Sequence, residues 1–156
     1  MKNLLVVCLI LTFVTLGSAN PNPESFALAD RVGEPNARSF FLFSTSAGNY
    51  TIRQDGMGEV SSPKGMRRVF HVKVGPKGRL DRVYFLEHEG DLLLLYQVRG
   101  QGFYLMRMEQ TKRKLRWFTP LPDISVSDQD AIVNGDAVFI GTTMISKTDG
   151  RIVKQD

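Results

Sequence analysis

The residues best equipped to hold a ligand form one run, Lys112-Arg113-Lys114-Leu115-Arg116-Trp117-Phe118, in which four cations interleave with two aromatics. Guanidinium and ammonium groups bind phosphate or sulfate, and aromatic faces stack on planar groups or cations. Lys112, Arg113, Lys114, Arg116 and Trp117 are therefore the candidate ligand- or partner-binding residues. The same run also fits a hairpin tip, with Lys112 to Lys114 in solvent and Trp117 packed between strands. Carboxylates supply a second chemistry. Glu87 and Glu89, like Asp128 and Asp130, stand two residues apart, and on a strand that spacing puts both side chains on one face about 6 to 7 Å apart. Such a pair can perform acid–base work on a glycoside, so Glu87 to Asp91 and Asp128 to Asp136 are where a glycan hydrolase would place its acids.

Other catalytic patterns are missing. The chain has neither a Gly-x-Ser-x-Gly elbow nor a His-Glu-x-x-His helix. His71 and His88, with Glu87 and Glu89, invite a metal site. If the Gly75 to Arg79 turn pairs its flanking strands, however, His71 sits opposite Val83 or Tyr84 and the imidazoles lie roughly 13 to 17 Å apart. Gly100-Gln101-Gly102 joins two strands, with no helix N-terminus behind it to cradle a phosphate. Asp128-Gln129-Asp130 lacks the further oxygen ligands of a calcium loop. No catalytic residue, metal site or cofactor is assigned.

The N-terminus sets the compartment. Lys2, the apolar run Leu4 to Leu16 and the small residues Gly17-Ser18-Ala19 have the layout of a signal peptide over residues 1–19. The apolar run is shorter than the roughly 18 residues needed to span a bilayer, so cleavage after Ala19 and no remaining transmembrane segment are expected. The protein is thus expected to be secreted or periplasmic. The only cysteine, Cys8, leaves with the signal, and packing alone must hold the mature domain. The formal charge of +4 falls by one with Lys2. Seven cations between Lys64 and Arg82 face the single acid Asp81, a segregation that focuses a field or simply solvates strand faces. Cytoplasmic nucleic acid is not an expected partner; an anionic envelope glycan or lipid, or a protein, fits better.

Residues 20–38 carry Pro21, Pro23 and Pro35 without a sustained period and read as an extended arm or linker, in which Phe26 to Ala29 has room for one short turn. From residue 39 to 156 the chain reads as one β domain with strands at Phe40 to Ser44, Tyr50 to Arg53, Val69 to Val74, Arg82 to Glu87, Leu92 to Val98, Phe103 to Met108, Leu115 to Phe118, Ala137 to Thr142, Met144 to Lys147 and Arg151 to Lys154. Alternation in Val69 to Val74 puts Phe70, Val72 and Val74 on a core face. Leu92-Leu93-Leu94-Leu95-Tyr96 has no polar alternation and is expected at the centre of a sheet covered on both faces.

Two stretches repeat. Glu89-Gly90-Asp91-Leu92-Leu93-Leu94 returns forty-five residues later as Asn134-Gly135-Asp136-Ala137-Val138-Phe139. Met108, Thr111, Lys114 and Leu115 return thirty-seven residues later as Ile145, Thr148, Arg151 and Ile152. The eight-residue difference fits a longer hairpin between Gln97 and Gly102. These repeats resemble the β-propeller repeats of the pyrroloquinoline-quinone type over residues 90–156. Met108-Glu109, Lys114 and Trp117 match one copy, and Ile145, Gly150 and Arg151 the next. Lys154 stands where the family has a blade-locking tryptophan, and Arg113 replaces a glycine. The resemblance implies antiparallel propeller-blade-like sheets, in proteins that are extracytoplasmic assembly scaffolds or quinone-dependent dehydrogenases. A closed propeller has at least about four blades, whereas the mature chain fits about three at roughly forty residues each. The array is then open or completed by oligomerisation with further copies; a self-contained β-sandwich is the alternative. The expected function is a non-catalytic β-repeat binding or scaffold domain contacting a protein partner or an anionic envelope component, with a small extracytoplasmic hydrolase acting on glycans as the alternative.

Overall fold

The computed structural model describes residues 22–33, 39–121, 124–127 and 130–153. The expected signal peptide, Asp128 and Lys154 lie outside the described residues. Three short strands come first, β1 (Glu24–Ser25), β2 (Ala27–Leu28) and β3 (Asp30–Val32). Three four-stranded antiparallel meanders follow. The first contains β4 (Phe40–Thr45), β5 (Gly48–Arg53), β6 (Met57–Ser61) and β7 (Arg67–His71). The middle one contains β8 (Leu80–His88), β9 (Asp91–Val98), β10 (Gly102–Glu109) and β11 (Lys114–Leu121). The last contains β12 (Ala131–Asn134), β13 (Ala137–Ile140), β14 (Thr143–Ser146) and β15 (Ile152–Val153).

The apolar pattern explains why these sheets stack. On β9, Leu92 through Tyr96 are all 0% exposed, as an uninterrupted apolar strand requires. Leu92, Leu94, Tyr96 and Val98 meet Phe41, Phe43, Tyr50 and Ile52 of the first sheet. Leu93 and Leu95 point the other way, joining Tyr84, Phe103 and Leu105 against Val133, Val138, Ile140 and Ile145 of the last sheet. The middle sheet is thus a shared wall between two cores. The fold is all-β and layered in the manner of a sandwich, and none of its three sheets closes on itself.

The N-terminal arm crosses the stack. β1 pairs with β12, β2 with β8 and β3 with β4, in each case the first strand of a meander. Stacked sheets lie about 10 Å apart and an extended chain covers that distance in about three residues, which matches the spacing of the three short strands. Between pairings the arm puts a side chain into each core, Phe26 between the middle and last sheets and Ala29 between the first and middle. Phe26 N donates to Ala131 O and Ala29 N to Val83 O. The room for a turn at Phe26 to Ala29 is not used, because an extended chain satisfies both sheets at once.

All ten expected strands form, with shifted ends. The two repeated segments occupy equivalent places, the β8–β9 and β12–β13 turns in one case and the β10–β11 and β14–β15 hairpins in the other. Their difference in spacing lies in strand length, since β9 and β10 have eight residues each and β13 and β14 four. The Gly75 to Arg79 segment pairs no strands; it carries the chain from the first sheet to the middle one. His71 is exposed on the first sheet, whereas His88 is buried at the end of β8.

β6 and β12 escape the sequence pattern. β6 carries Gly58 as its second residue, and a Cβ there would collide with the far end of the Phe70 ring on neighbouring β7. The glycine that disguises the strand is the one that lets Phe70 cross it. Gly58→Ala is expected to destabilise the protein in urea unfolding, and Phe70→Leu in the same chain should recover about 1 kcal/mol relative to the sum of the single changes. Additive effects would show that the ring does not need the space.

Candidate functional site

Antiparallel connection puts the β4–β5, β8–β9, β10–β11 and β12–β13 turns at one end of the stack, here called the upper end. The cationic hairpin lies there. Its tip passes through Arg113 in the left-handed region, at φ 53°. The β10–β11 register shifts between Arg107, opposite Trp117, and Met108, opposite Leu115. Arg116 is therefore the extra residue of a β-bulge, a feature that re-aims a side chain. Its Nε lies 2.7 Å from Asp91 Oδ2 and its outer nitrogen 3.5 Å from Glu109.

The five sequence candidates separate by environment. Lys112, Lys114 and Arg116 line a shallow groove with Leu115, Glu109 and Thr148. Lys112 pairs with Glu109 at 3.4 Å. Arg113 lies half-buried, its Nε without a hydrogen-bond partner among the described residues. Trp117, 8% exposed, packs in the core between the middle and last sheets and donates Nε1–H to Lys147 O at 2.8 Å. A side chain at Gly150 would occupy the space its indole fills. Trp117 thus fastens two sheets together and offers no stacking face to a ligand.

The groove is backed by ion pairs whose members lie far apart in sequence. Asp91, 2% exposed, receives Arg107 Nε at 2.5 Å and Arg116 Nε on the same oxygen. Arg107 also donates to Lys147 O at 2.8 Å. Lys147 Nζ lies 3.0 Å from His88 Nε2 and 3.2 Å from Glu89, while His88 Nδ1 lies 3.0 Å from Glu24 on the arm. A lysine ammonium only donates. With Lys147 charged, Nε2 accepts and the imidazole proton sits on Nδ1, directed at Glu24. Arm, middle sheet and last sheet are joined by this one chain of contacts.

A second polar cluster caps the core between the first and middle sheets. Ser46 donates to Glu87 through its N–H, at 2.8 Å, and through its hydroxyl. Gln110 Nε2 donates to Glu87 at 2.9 Å, and Thr45 and Tyr50 donate to Gln110 Oε1. Burial pushes the Tyr50 hydroxyl up to about 12. Desolvation raises Glu87 as well, but the Ser46 and Gln110 hydrogen bonds outweigh it and leave the carboxyl below its ordinary value. Glu89 is also lowered, chiefly by its hydrogen bond from Lys147.

Glu87 and Glu89 do not share a face. β8 ends at His88, and Glu89 enters the turn at φ 52°, so Glu87 reaches the first sheet and Glu89 the last. Asp130 accepts the Ser127 hydroxyl, and fully exposed Asp136 lies 3.9 Å from Lys147. Among the described residues no group of three His, Cys, Asp or Glu could hold a metal ion. No helix among them is long and apolar enough to cross a membrane.

The geometry makes two stability statements. Glu87 and Glu89 titrate below their ordinary value of 4.5, so the stability they contribute is present above that pH and lost as pH falls through the depressed values. Urea unfolding between about pH 7 and about pH 3 should show this acid limb, and Glu87→Gln should make it shallower; an unchanged limb in that variant would remove Glu87 from the account. Asp91→Ala, which strips a buried carboxylate from two guanidiniums, is expected to cost about 3 kcal/mol in the same measurement. No protein-family description, curated protein or solved structure matches this chain.

Proposed function

We propose that this protein is an extracytoplasmic, non-catalytic β-repeat scaffold that uses the cationic β10–β11 hairpin and the adjoining β11 edge to hold an anionic partner, a protein or an envelope glycan or lipid. The observation that carries the reading is the state of the hairpin. Among the described residues Lys114 has no ion pair and Lys112 is engaged only by Glu109, and Leu115 is exposed beside them in the groove. β11 is the terminal strand of the middle sheet, and an open edge accepts an added strand with little demand on sequence. Arg116 serves differently from its neighbours, since its guanidinium is held by Asp91 and Glu109 and sets the shape of the groove.

Among the carboxylates that a glycan hydrolase would use, Glu87 and Asp91 are instead committed to structure. Glu87 caps one core, while Asp91 is enclosed by arginines. Three meanders of four strands, stacked face to face, agree with an open array of blade-like sheets. The outward rows Leu42, Thr51, Glu59, Val69 on the first sheet and Ile132, Phe139, Met144, Val153 on the last are surfaces on which a further copy would extend such an array.

Retention on a heparin matrix tests the hairpin directly. The double variant Lys112→Glu/Lys114→Glu should elute at clearly lower salt than the unaltered protein, while Lys64→Glu/Arg67→Glu, with the same charge change on the β6–β7 hairpin, should elute between them. Equal elution of the two double variants would refer retention to net charge and overturn the assignment.

A further inference from the structure

The opposite, lower end of the stack holds a cleft of about 360 Å³ between the β5–β6 turn, the start of β4 and the crossover from β7 to β8. Its buried lining includes polar side chains. Gln54 is 9% exposed, and its buried Nε2 has no hydrogen-bond partner among the described residues. The backbone there is fixed, since Leu80 N donates to Gln54 O at 2.9 Å. A buried amide donor left unpaired costs about 1 to 3 kcal/mol, and such a group calls for an acceptor that the protein itself does not supply.

The exposed lining carries three cations and one acid, Asp55. Arg53, Lys77 and Arg79 stand around the cleft. Arg53 is already spent on Asp55, 2.5 Å away, whereas Lys77 and Arg79 have no ion pair among the described residues. Lys77 holds a left-handed φ of 61° in the crossover, a conformation that is costly for a residue with a side chain. Phe40 and Val74 add apolar walls. Lys77 and Arg79 belong to the basic stretch from Lys64 to Arg82.

We propose that this cleft binds a small organic carboxylate, its anionic head between Arg79 and Lys77 and its carbon skeleton against Phe40 and Val74, with Gln54 turning its amide out of the core to donate Nε2–H to one oxygen. A free guanidinium prefers a planar, bidentate anion. The apolar walls favour an acid with a carbon body over sulfate or phosphate. The cleft volume falls in the range of small-molecule sites, which begins at about 300 Å³.

Calorimetric titration with phenylacetate, its neutral isostere phenylacetamide and sulfate tests the assignment. Phenylacetate should bind saturably, with phenylacetamide and sulfate each weaker by about tenfold or more, the difference that one lost charge-assisted hydrogen bond makes. Arg79→Ala, an exposed change that leaves the core intact, should weaken phenylacetate by about tenfold, and Gln54→Leu should weaken it as well. Lys112→Glu/Lys114→Glu, at the other end, should bind phenylacetate normally. Equal binding of acid and amide, sulfate binding as well as the acid, an unaffected Arg79→Ala, or no saturable binding of phenylacetate, benzoate or indole-3-acetate would each overturn the proposal. If Gln54→Leu does not fold, Arg79→Ala with the isostere comparison still decides it.

Discussion

Everything in this molecule depends on the middle sheet being apolar on both faces. A sheet with one dry face needs one cover. β9, with five consecutive residues fully withdrawn from water, needs two, and each fully buried leucine contributes roughly 2 kcal/mol when both are in place. The first and last sheets are those covers. They can be short-stranded, like β12 to β15, because each has only one face to bury. The arm, the crossovers and the polar ends of the cores all follow from holding three layers in register around this wall.

Apolar layers slide unless something directional stops them. At the upper end, Glu87 and Gln110 tie the middle sheet to the first, while Arg107, Trp117 and His88 tie it to the last through Lys147. These groups are costly to bury singly and become tolerable because their donors and acceptors are matched across the layers. The lower end is built differently. Among the described residues its crossover leaves Gln54 Nε2 unmatched and two cations without an ion pair. The two ends of the stack are therefore chemically unequal, the upper one carrying these ties between layers and the lower one a cleft edged by cations.

The sequence makes the layers legible and hides the fastenings. The unbroken run at Leu92 to Tyr96 announces a strand covered twice, and the Gly-Asp turns announce equivalent positions in successive sheets. Both signals are local, with strand geometry turning them directly into structure. β6 is concealed by Gly58, whose purpose is visible only with Phe70 beside it. Trp117 reads equally well as a ligand platform or a packing residue until the Lys147 carbonyl is seen to accept its N–H. Glu24, His88 and Lys147 come from three distant segments, and no spacing rule joins them. The same holds for the lower cleft, where Gln54 and Arg79 meet because a crossover, mistaken for a hairpin in the linear reading, brings the middle sheet back under the first.

The order in which the arm finds its partners bears on how the chain reaches this state. β3 lies against β4, its neighbour in sequence, but β1 must wait for β12, close to the far end of the described chain. During synthesis the earliest of these segments is consequently the last to be secured, and long-range pairings of this kind are slow to form. Until the last sheet exists, Phe26 has no pocket and Glu24 has no strand to join. A chain stopped short of β12 would carry an unpaired arm and a bare middle sheet, surfaces of the kind that aggregate or draw chaperones. The arm thereby works as a completion seal, fastened only when the whole domain has been made.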